Sequence, residues 1–319
     1  MIIELKETTT SAIAKKLVQV REEGGAVALG RVLTLVLVTS RADNEAAIHA
    51  ANEASGEHPM RLIVVHTSPA EDGHESRLDA EIRVGRDAGA GDVVVLHAQG
   101  PAARDPETLV QGLLLPDAPV VVWWPSRSDV GAPSTSPLGD LAQVRIVDTH
   151  DEADGYQALC ELATDYEPGD SNLAWTRLTH WRAQLAAVLD QPPYEPVERA
   201  AVAGRRGSST TILMAAWLRR FLDVPVELEW DDTVEPDAPQ LLRVRLERAS
   251  GPIELERIGV ETARLRQPGQ PEQLIPMVRR EATEVIAEEL RSLAPDEVYA
   301  TVLREGVPGL CDETGACAI

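Results

Sequence analysis

The chain has 319 residues and carries 52 acidic against 30 basic side chains, a formal charge of −22. This balance excludes nucleic acid as a general partner, because binding to a phosphate backbone needs a basic face. Lysine occurs only at Lys6, Lys15 and Lys16, so a phosphate-loop or Schiff-base lysine later in the chain is excluded. The apolar runs are too short to span a bilayer and the first residues lack a signal-peptide pattern, so we expect a cytoplasmic protein.

The first half of the chain alternates predicted helices and strands. VLTLVLVTS at 32–40 is a continuous apolar run of the kind that is buried on both faces in a parallel sheet. The other predicted elements are helices at 8–22, 43–55 and 105–114 and strands at 61–68, 78–84, 93–97 and 118–124. This alternation predicts an α/β fold with a Rossmann-like parallel sheet and right-handed crossovers, which we assign to a scaffold domain at 1–160.

The turn after the strand at 32–40 decides whether this sheet binds a nucleotide. It reads TSRADNEAA and contains no glycine. The dinucleotide fingerprint needs glycines there, so that the backbone can approach a pyrophosphate. We therefore predict a Rossmann-like domain without the glycine fingerprint and without a cofactor.

The second half predicts a C-terminal α/β domain, 161–319, that ends in a flexible tail containing cysteines. Its expected elements are a helix at 172–189, a strand–loop–helix–strand unit at 195–230, strands at 241–248 and 252–257, and a long helix at 271–292. In the first of these helices, Leu178, Trp181, Leu185 and Val188 share one face at 100° per residue, which predicts that they are core. Asp170 or Ser171 is the expected helix cap.

Charge is segregated in this half. Residues 150–172 and 223–240 each contain seven acids and neither lysine nor arginine, whereas 173–222 holds seven arginines against three acids. Two interpretations stay open. The arginines form ion pairs within the domain, or they meet an anionic ligand or an acidic partner, since arginine and tryptophan anchor interfaces.

The segment RAAVAGRRGSSTTILMAAWLRRFL, 199–222, predicts a strand that ends at Gly204 and a helix that starts at Ser208 or Ser209. A helix start with neighbouring arginines can bind an anion through backbone N–H groups and the helix dipole. The candidate anion site is Arg205, Arg206, Gly207, Ser208 and Ser209. The alternative is an ordinary N-cap after a turn.

The tail CDETGACAI places Cys311 and Cys317 around a segment that contains Gly315. This spacing can close a disulfide, and the alternative is two free thiols. We predict no metal site, because no second Cys or His pair lies nearby to complete one.

Catalytic signatures such as G-x-S-x-G and H-E-x-x-H do not occur in the sequence. His150, with Asp151 and Glu152, reads as a surface cluster. We therefore predict no catalytic residues and expect a protein that is not an enzyme. The alternative is an enzyme or sensor that binds a sugar phosphate or nucleotide at 204–209.

Two long strings resemble the glucose-6-phosphate dehydrogenase assembly protein (OpcA) family. They are WWPSRSDVGAPSTSPLGDLAQVRIVDT, 123–149, and YEPGDSNLAWTRLTHWRAQLA, 166–186. The resemblance implies a non-catalytic partner that promotes assembly or activity of the dehydrogenase that opens the oxidative pentose phosphate pathway. In photosynthetic relatives the family is associated with thioredoxin-linked control, which implies a redox role for Cys311 and Cys317 and thioredoxin as a second partner.

The resemblance and the local composition together indicate where the dehydrogenase would bind. The second string combines tryptophan with arginine on one predicted helix, and the first begins with a tryptophan pair beside a Pro-rich loop. The predicted partner-binding residues are Arg177, His180, Arg182, Trp123, Trp124 and Trp175.

Overall fold

The computed structural model describes residues 1–24, 32–39, 45–67, 76–84, 91–127, 130–235 and 238–310. They form two compact units. The first unit comprises 1–147, 169–171 and 281–295, and the second comprises 148–168, 172–280 and the described residues from 296 onward. The predicted division into domains 1–160 and 161–319 stays a prediction, because compactness does not show which parts fold independently.

The described residues contain strands and helices in alternation through the first half. The strands are β1 Ile2–Leu5, β2 Leu33–Thr39, β3 Met60–Thr67, β4 Arg77–Arg83, β5 Asp92–Gln99, β6 Val120–Trp124, β7 Val144–Val147, β8 Asp170–Asn172, β9 Arg199–Arg205, β10 Val226–Asp231, β11 Leu241–Glu247, β12 Ile253–Arg257, β13 Thr262–Arg266 and β14 Gln273–Pro276. The helices are α1 Thr10–Gly24, α2 Glu45–Ala54, α3 Pro106–Gln111, α4 Gly155–Thr164, α5 Leu173–Thr176, α6 Thr179–Leu189, α7 Ser209–Leu222, α8 Ala282–Glu289 and α9 Glu297–Thr301.

An eight-stranded sheet forms the first unit, in the order β1-β4-β5-β3-β2-β6-β7-β8. Its centre, from β5 to β7, is parallel, as the sequence predicts. All seven residues of β2 and all five of β6 are buried, because their apolar runs face layers on both sides of the sheet. The α/β class and the Rossmann-like sheet are therefore confirmed.

One edge of this sheet differs from the expected all-parallel arrangement. β4 runs antiparallel to β5, and β1 runs antiparallel to β4. The alternating burial of β4 suits a strand with one face less covered, whereas a strand at the parallel centre is buried on both faces. Such antiparallel edges are common on otherwise parallel sheets.

The second unit contains a six-stranded sheet in the order β10-β9-β11-β12-β13-β14. β9 and β10 run parallel and the other neighbouring pairs are antiparallel. The long helix expected at 271–292 is wrong, because β14 occupies its first part and α8 begins only at Ala282. Pro271 and Pro276 explain the difference: proline lacks a backbone donor and is tolerated at a sheet edge, not inside a helix.

The helix expected at 172–189 is also divided. α5 ends at Thr176 and α6 begins at Thr179. Asn172 caps α5 by accepting a hydrogen bond from Ala174 N, so the expected caps Asp170 and Ser171 are wrong. The predicted core face of α6 is confirmed. Its buried residues are Leu178, Trp181, Leu185 and Val188.

Gly155, at the start of α4, lies against the turn that precedes α7. Its N–H donates to Gly207 O at 2.9 Å. A Cβ at residue 155 would lie 2.4 Å from Gly207 O and 2.5 Å from Ser209 N, both of them rigid backbone atoms. The position is therefore closed to any side chain.

Gly155→Ala is expected to lower the free energy of unfolding by about 2 kcal/mol, because the added methyl group must displace backbone. Urea unfolding measures the change. Gly259→Ala is the matched control, since a Cβ at residue 259 meets no atom within 4 Å. Equal stability of the two variants would contradict the close packing at residue 155.

Candidate functional site

The segment that follows β7 anchors the candidate site in the second unit. Asp148 accepts two hydrogen bonds from the Arg177 guanidinium, each 2.8 Å long, and a third from His150 N at 3.0 Å. The side chains of Asp148 and Arg177 are 12% and 13% exposed. Because the pair is bidentate and mostly shielded from water, it fixes Arg177 in one position.

Thr149 is fully buried beside this ion pair. Its hydroxyl accepts a hydrogen bond from Asn172 Nδ2 and donates one to Ser209 Oγ, both at 2.9 Å. Ser209 Oγ in turn donates to Thr149 O at 2.7 Å. Asp148 and Thr149 end the first family-like string, and Asn172 and Arg177 belong to the second. Residues of the two strings are therefore hydrogen-bonded to each other in the fold.

Ser208 is the N-cap of α7, as the alternative interpretation of 204–209 predicts. Ser208 Oγ accepts from Thr211 N at 3.2 Å and donates to Gln240 Oε1 at 2.7 Å. Gly155 occupies the space next to Ser209 N. Gly155 therefore packs closely against the backbone at the start of α7.

Of the two arginines of the predicted anion site, Arg206 is engaged with other side chains. Arg206 pairs with Asp232 at 2.7 Å in an exposed ion pair, and its guanidinium carbon lies 6.0 Å from the centre of the Trp230 ring. Arg205 is half-buried in the last position of β9. The Ser208 and Ser209 hydroxyls are used by the fold, which favours the ordinary N-cap. The anion site at Arg205, Arg206, Gly207, Ser208 and Ser209 stays a prediction.

A pocket opens in the second unit beside Arg177. Its lining includes four arginines and two histidines, namely Arg177, Arg257, Arg279, Arg280, His150 and His180. The cavity volume is about 50 Å³. A water needs roughly 10–15 Å³ by this measure, so the pocket holds a few waters or one small ion. It is too small for a nucleotide, because ligand pockets of that kind measure roughly 300 Å³ or more.

Burial and positive charge determine the protonation of this pocket. Burial, reinforced by the nearby Arg177 guanidinium, lowers the pKa of His150 from 6.5 to about 4, so the imidazole is neutral at pH 7. Burial also lowers the pKa of Arg257. The expected surface cluster around His150 is therefore wrong for the histidine itself, which lies mostly inside the fold.

The predicted partner-binding residues separate into buried and accessible ones. Trp123, Trp124 and Trp175 are at most 2% exposed. Their side chains pack in the core and present no surface to a partner, so we correct their assignment. Arg182 is half-buried, with its guanidinium carbon 3.7 Å from the centre of the Trp175 ring. His180 is exposed.

Sequence reasoning missed most of the pocket, because no local motif marks Thr210, Arg257, Arg279 or Arg280. These residues meet because the antiparallel sheet and the segment after β14 bring distant parts of the chain together. Arg280, for example, donates to Thr176 O at 2.7 Å across 104 positions of sequence.

The remaining predictions concern metals, membranes and the tail. In the part of the chain that the structure describes, no three His, Cys, Asp or Glu side chains are grouped as metal ligands would be. No described helix has the length and apolar character to cross a membrane. Cys311 and Cys317 lie outside the described residues, so their disulfide and its redox role stay predictions.

Comparison with solved structures places the chain among Rossmann-like α/β folds. A mutant of the 3-ketoreductase KijD10 from Actinomadura kijaniata, in complex with TDP-benzene and NADP, matches with a TM-score of 0.50 and 11% identity over 89% of this chain and 98% of that one. Glucose-6-phosphate 1-dehydrogenase from Mycobacterium avium matches with a TM-score of 0.46 and 11% identity, over 86% and 91%. Biliverdin reductase from Synechocystis sp. PCC 6803 matches with a TM-score of 0.43 and 11% identity, over 91% and 100%. Identities this low establish the fold alone.

Family models identify the chain more closely. Two models describe the N-terminal and the C-terminal domain of a glucose-6-phosphate dehydrogenase subunit, and they match residues 51–164 and 168–303, respectively. No curated protein matches the chain significantly. The chain belongs to the glucose-6-phosphate dehydrogenase assembly protein (OpcA) family, as the two strings predict.

Proposed function

We propose that this chain is a non-catalytic assembly subunit that binds glucose-6-phosphate dehydrogenase and raises its activity in the oxidative pentose phosphate pathway. The observation that carries the proposal is the pair of family matches, since both describe a subunit of that dehydrogenase and together they span residues 51–303 with a short gap.

Two features of the chain support a role without turnover. The sequence between β2 and α2 contains no glycine, so it lacks the fingerprint with which Rossmann-like sheets hold a dinucleotide. The arginine-lined pocket is too small for such a cofactor. The alternative, an enzyme or sensor that uses 204–209, is less favoured because the Ser208 and Ser209 hydroxyls are hydrogen-bonded within the chain.

We place the contact with the dehydrogenase on the polar side of α6, around His180 and Arg182. His180 is exposed, and Arg182 is held by stacking on Trp175, so its ordering costs little further entropy on binding. Arg177 is less suited to this role, because its guanidinium is already paired with Asp148.

Adding the purified chain to purified glucose-6-phosphate dehydrogenase is expected to give a complex by light scattering and to increase kcat/KM. The chain alone is expected to show no NADP reduction. His180→Ala should weaken the complex about tenfold, a loss of the size seen at interface anchors. His49→Ala is the matched control, since His49 is an exposed histidine of the first unit.

Unchanged kinetics and no complex at saturating wild-type chain would overturn the function. A complex that His180→Ala leaves unaffected would keep the function and move the contact elsewhere.

A further inference from the structure

The charge of the arginine-lined pocket is opposite to that of the protein. Four arginines line it, and among its described lining residues there is no carboxylate. The chain as a whole has 52 acids and 30 basic residues. Since the average surface of such a protein is acidic, a concave site with only cationic charges among its lining side chains favours an anion.

The surroundings of Arg257 are the strongest electrostatic argument that the pocket binds an anion. One guanidinium nitrogen, Nη1, donates to the carbonyl oxygens of Val260 and Met277 at 2.9 and 2.6 Å. These acceptors are neutral, and no carboxylate pairs with Arg257 in the described part of the chain. Burial lowers the pKa of Arg257. Arg257 is half-buried, and its described partners, the carbonyl oxygens and the Trp181 ring, carry no net charge. A bound anion would supply the negative charge that a partly desolvated guanidinium lacks there.

Three polar atoms around the pocket are buried and have no hydrogen-bond partner in the described structure. They are Thr210 Oγ1, His150 Nδ1 and Arg257 Nε. Thr210 is only 6% exposed. Buried polar atoms are normally satisfied, so three unsatisfied ones around one pocket indicate a missing partner with several acceptor atoms.

We propose that this pocket binds the phosphate group of inorganic phosphate or of a small phosphate monoester. The tetrahedral oxyanion has enough oxygens to accept from Arg257, Thr210 and a neutral His150 at once, and arginine suits it geometrically. Thr210 lies in the first turn of α7, and its side chain lines the pocket. The cavity volume of about 50 Å³ admits the phosphate group but not a nucleotide.

Phosphate binding does not depend on the proposed function. It can be tested on the full chain in the absence of the dehydrogenase. Calorimetry with inorganic phosphate at neutral pH and low salt is expected to show one saturable site with a dissociation constant of about 1 mM or tighter. A parallel titration uses glycerol phosphate. Equal affinities identify inorganic phosphate as the ligand, and tighter binding of the ester identifies a phosphate monoester.

Thr210→Val provides a variant that keeps the fold. It replaces a hydroxyl that has no partner by a methyl group of similar shape, so the thermal midpoint is expected to stay the same or rise. Phosphate affinity should fall at least tenfold, because one hydrogen bond to a charged ligand is lost. If Thr210 had only a structural role, its replacement would not lower phosphate affinity while leaving the thermal midpoint unchanged.

Thr211→Val is the matched control on the next residue. Thr211 is fully buried and its hydroxyl donates to Gln240 O at 3.3 Å, so this variant should lose stability while phosphate binding persists. The absence of saturable binding to the wild-type chain up to roughly 10 mM phosphate would overturn the proposal. Unchanged affinity of Thr210→Val would overturn it as well.

Discussion

Replacing Asp148 by alanine is expected to lower the free energy of unfolding by about 3 kcal/mol. The carboxylate accepts both guanidinium hydrogen bonds of Arg177 and the N–H of His150. Both side chains of the ion pair are about one-eighth exposed, so water cannot replace the lost partner well. The variant leaves a mostly buried positive charge, which is far more costly than the loss of a surface pair.

Asp232→Ala is the matched control for this prediction. Asp232 and Arg206 also form a close pair, at 2.7 Å, but their side chains are 66% and 60% exposed. Its removal is expected to leave the urea midpoint unchanged, because both ends stay hydrated. If the two aspartates gave the same small effect, the Asp148–Arg177 pair would not be a structural anchor.

The Asp148–Arg177 ion pair affects the choice of residue for locating the contact with the dehydrogenase. The sequence presents Arg177 as a candidate contact, yet in the structure it is engaged with Asp148. Arg177→Ala would leave Asp148 as an uncompensated carboxylate, so a loss of complex could reflect lost stability. His180 is exposed, so replacing it tests the contact without removing a partner of Asp148.

The sequence predicts β2 to β6 and α1 to α3 because each of them carries a local signal, whereas β1, β7 and β8 are not predicted from it. β2 is a run of apolar residues that can be stable only when buried on both faces, and it is. The direction of β4 has no such signal: an alternating pattern fits either an antiparallel or a parallel edge, and pairing is decided by distant residues. The helix expected at 271–292 failed where two prolines should have been given more weight than apolar spacing.

The candidate site could be predicted only in part. Of the seven arginines in 173–222, Arg177 lines the pocket. Arg177, Arg206 and Arg220 form ion pairs within the chain, as one of the two interpretations predicts. Arg257 and Arg279 lie outside that region and reach the pocket through pairings of the second sheet, which no spacing rule encodes. The predicted anion site at 204–209 lies next to Thr210 in sequence, but the hydroxyls of Ser208 and Ser209 are hydrogen-bonded within the chain.

Acidification is expected to destabilise the protein through His150. Its pKa is lowered from 6.5 to about 4, mainly by burial and then by Arg177 and Arg279, while Asp148 and Asp151 oppose the shift. Between these two pKa values the unfolded chain binds a proton at this residue and the folded chain does not. Stability is therefore complete above pH 6.5 and declines as the pH falls towards 4. At pH 5 the loss from this histidine alone is about 2 kcal/mol.

Urea unfolding at pH 7.5 and pH 5 measures this contribution in the wild type and in His150→Gln. Glutamine cannot titrate, so the variant should lose about 2 kcal/mol less than the wild type over the interval, whatever the carboxylates contribute to both proteins. Parallel pH profiles for wild type and His150→Gln would show that the imidazole is hydrated in the folded state. A smaller loss for His150→Gln alone would show that it is held neutral in an arginine-lined interior.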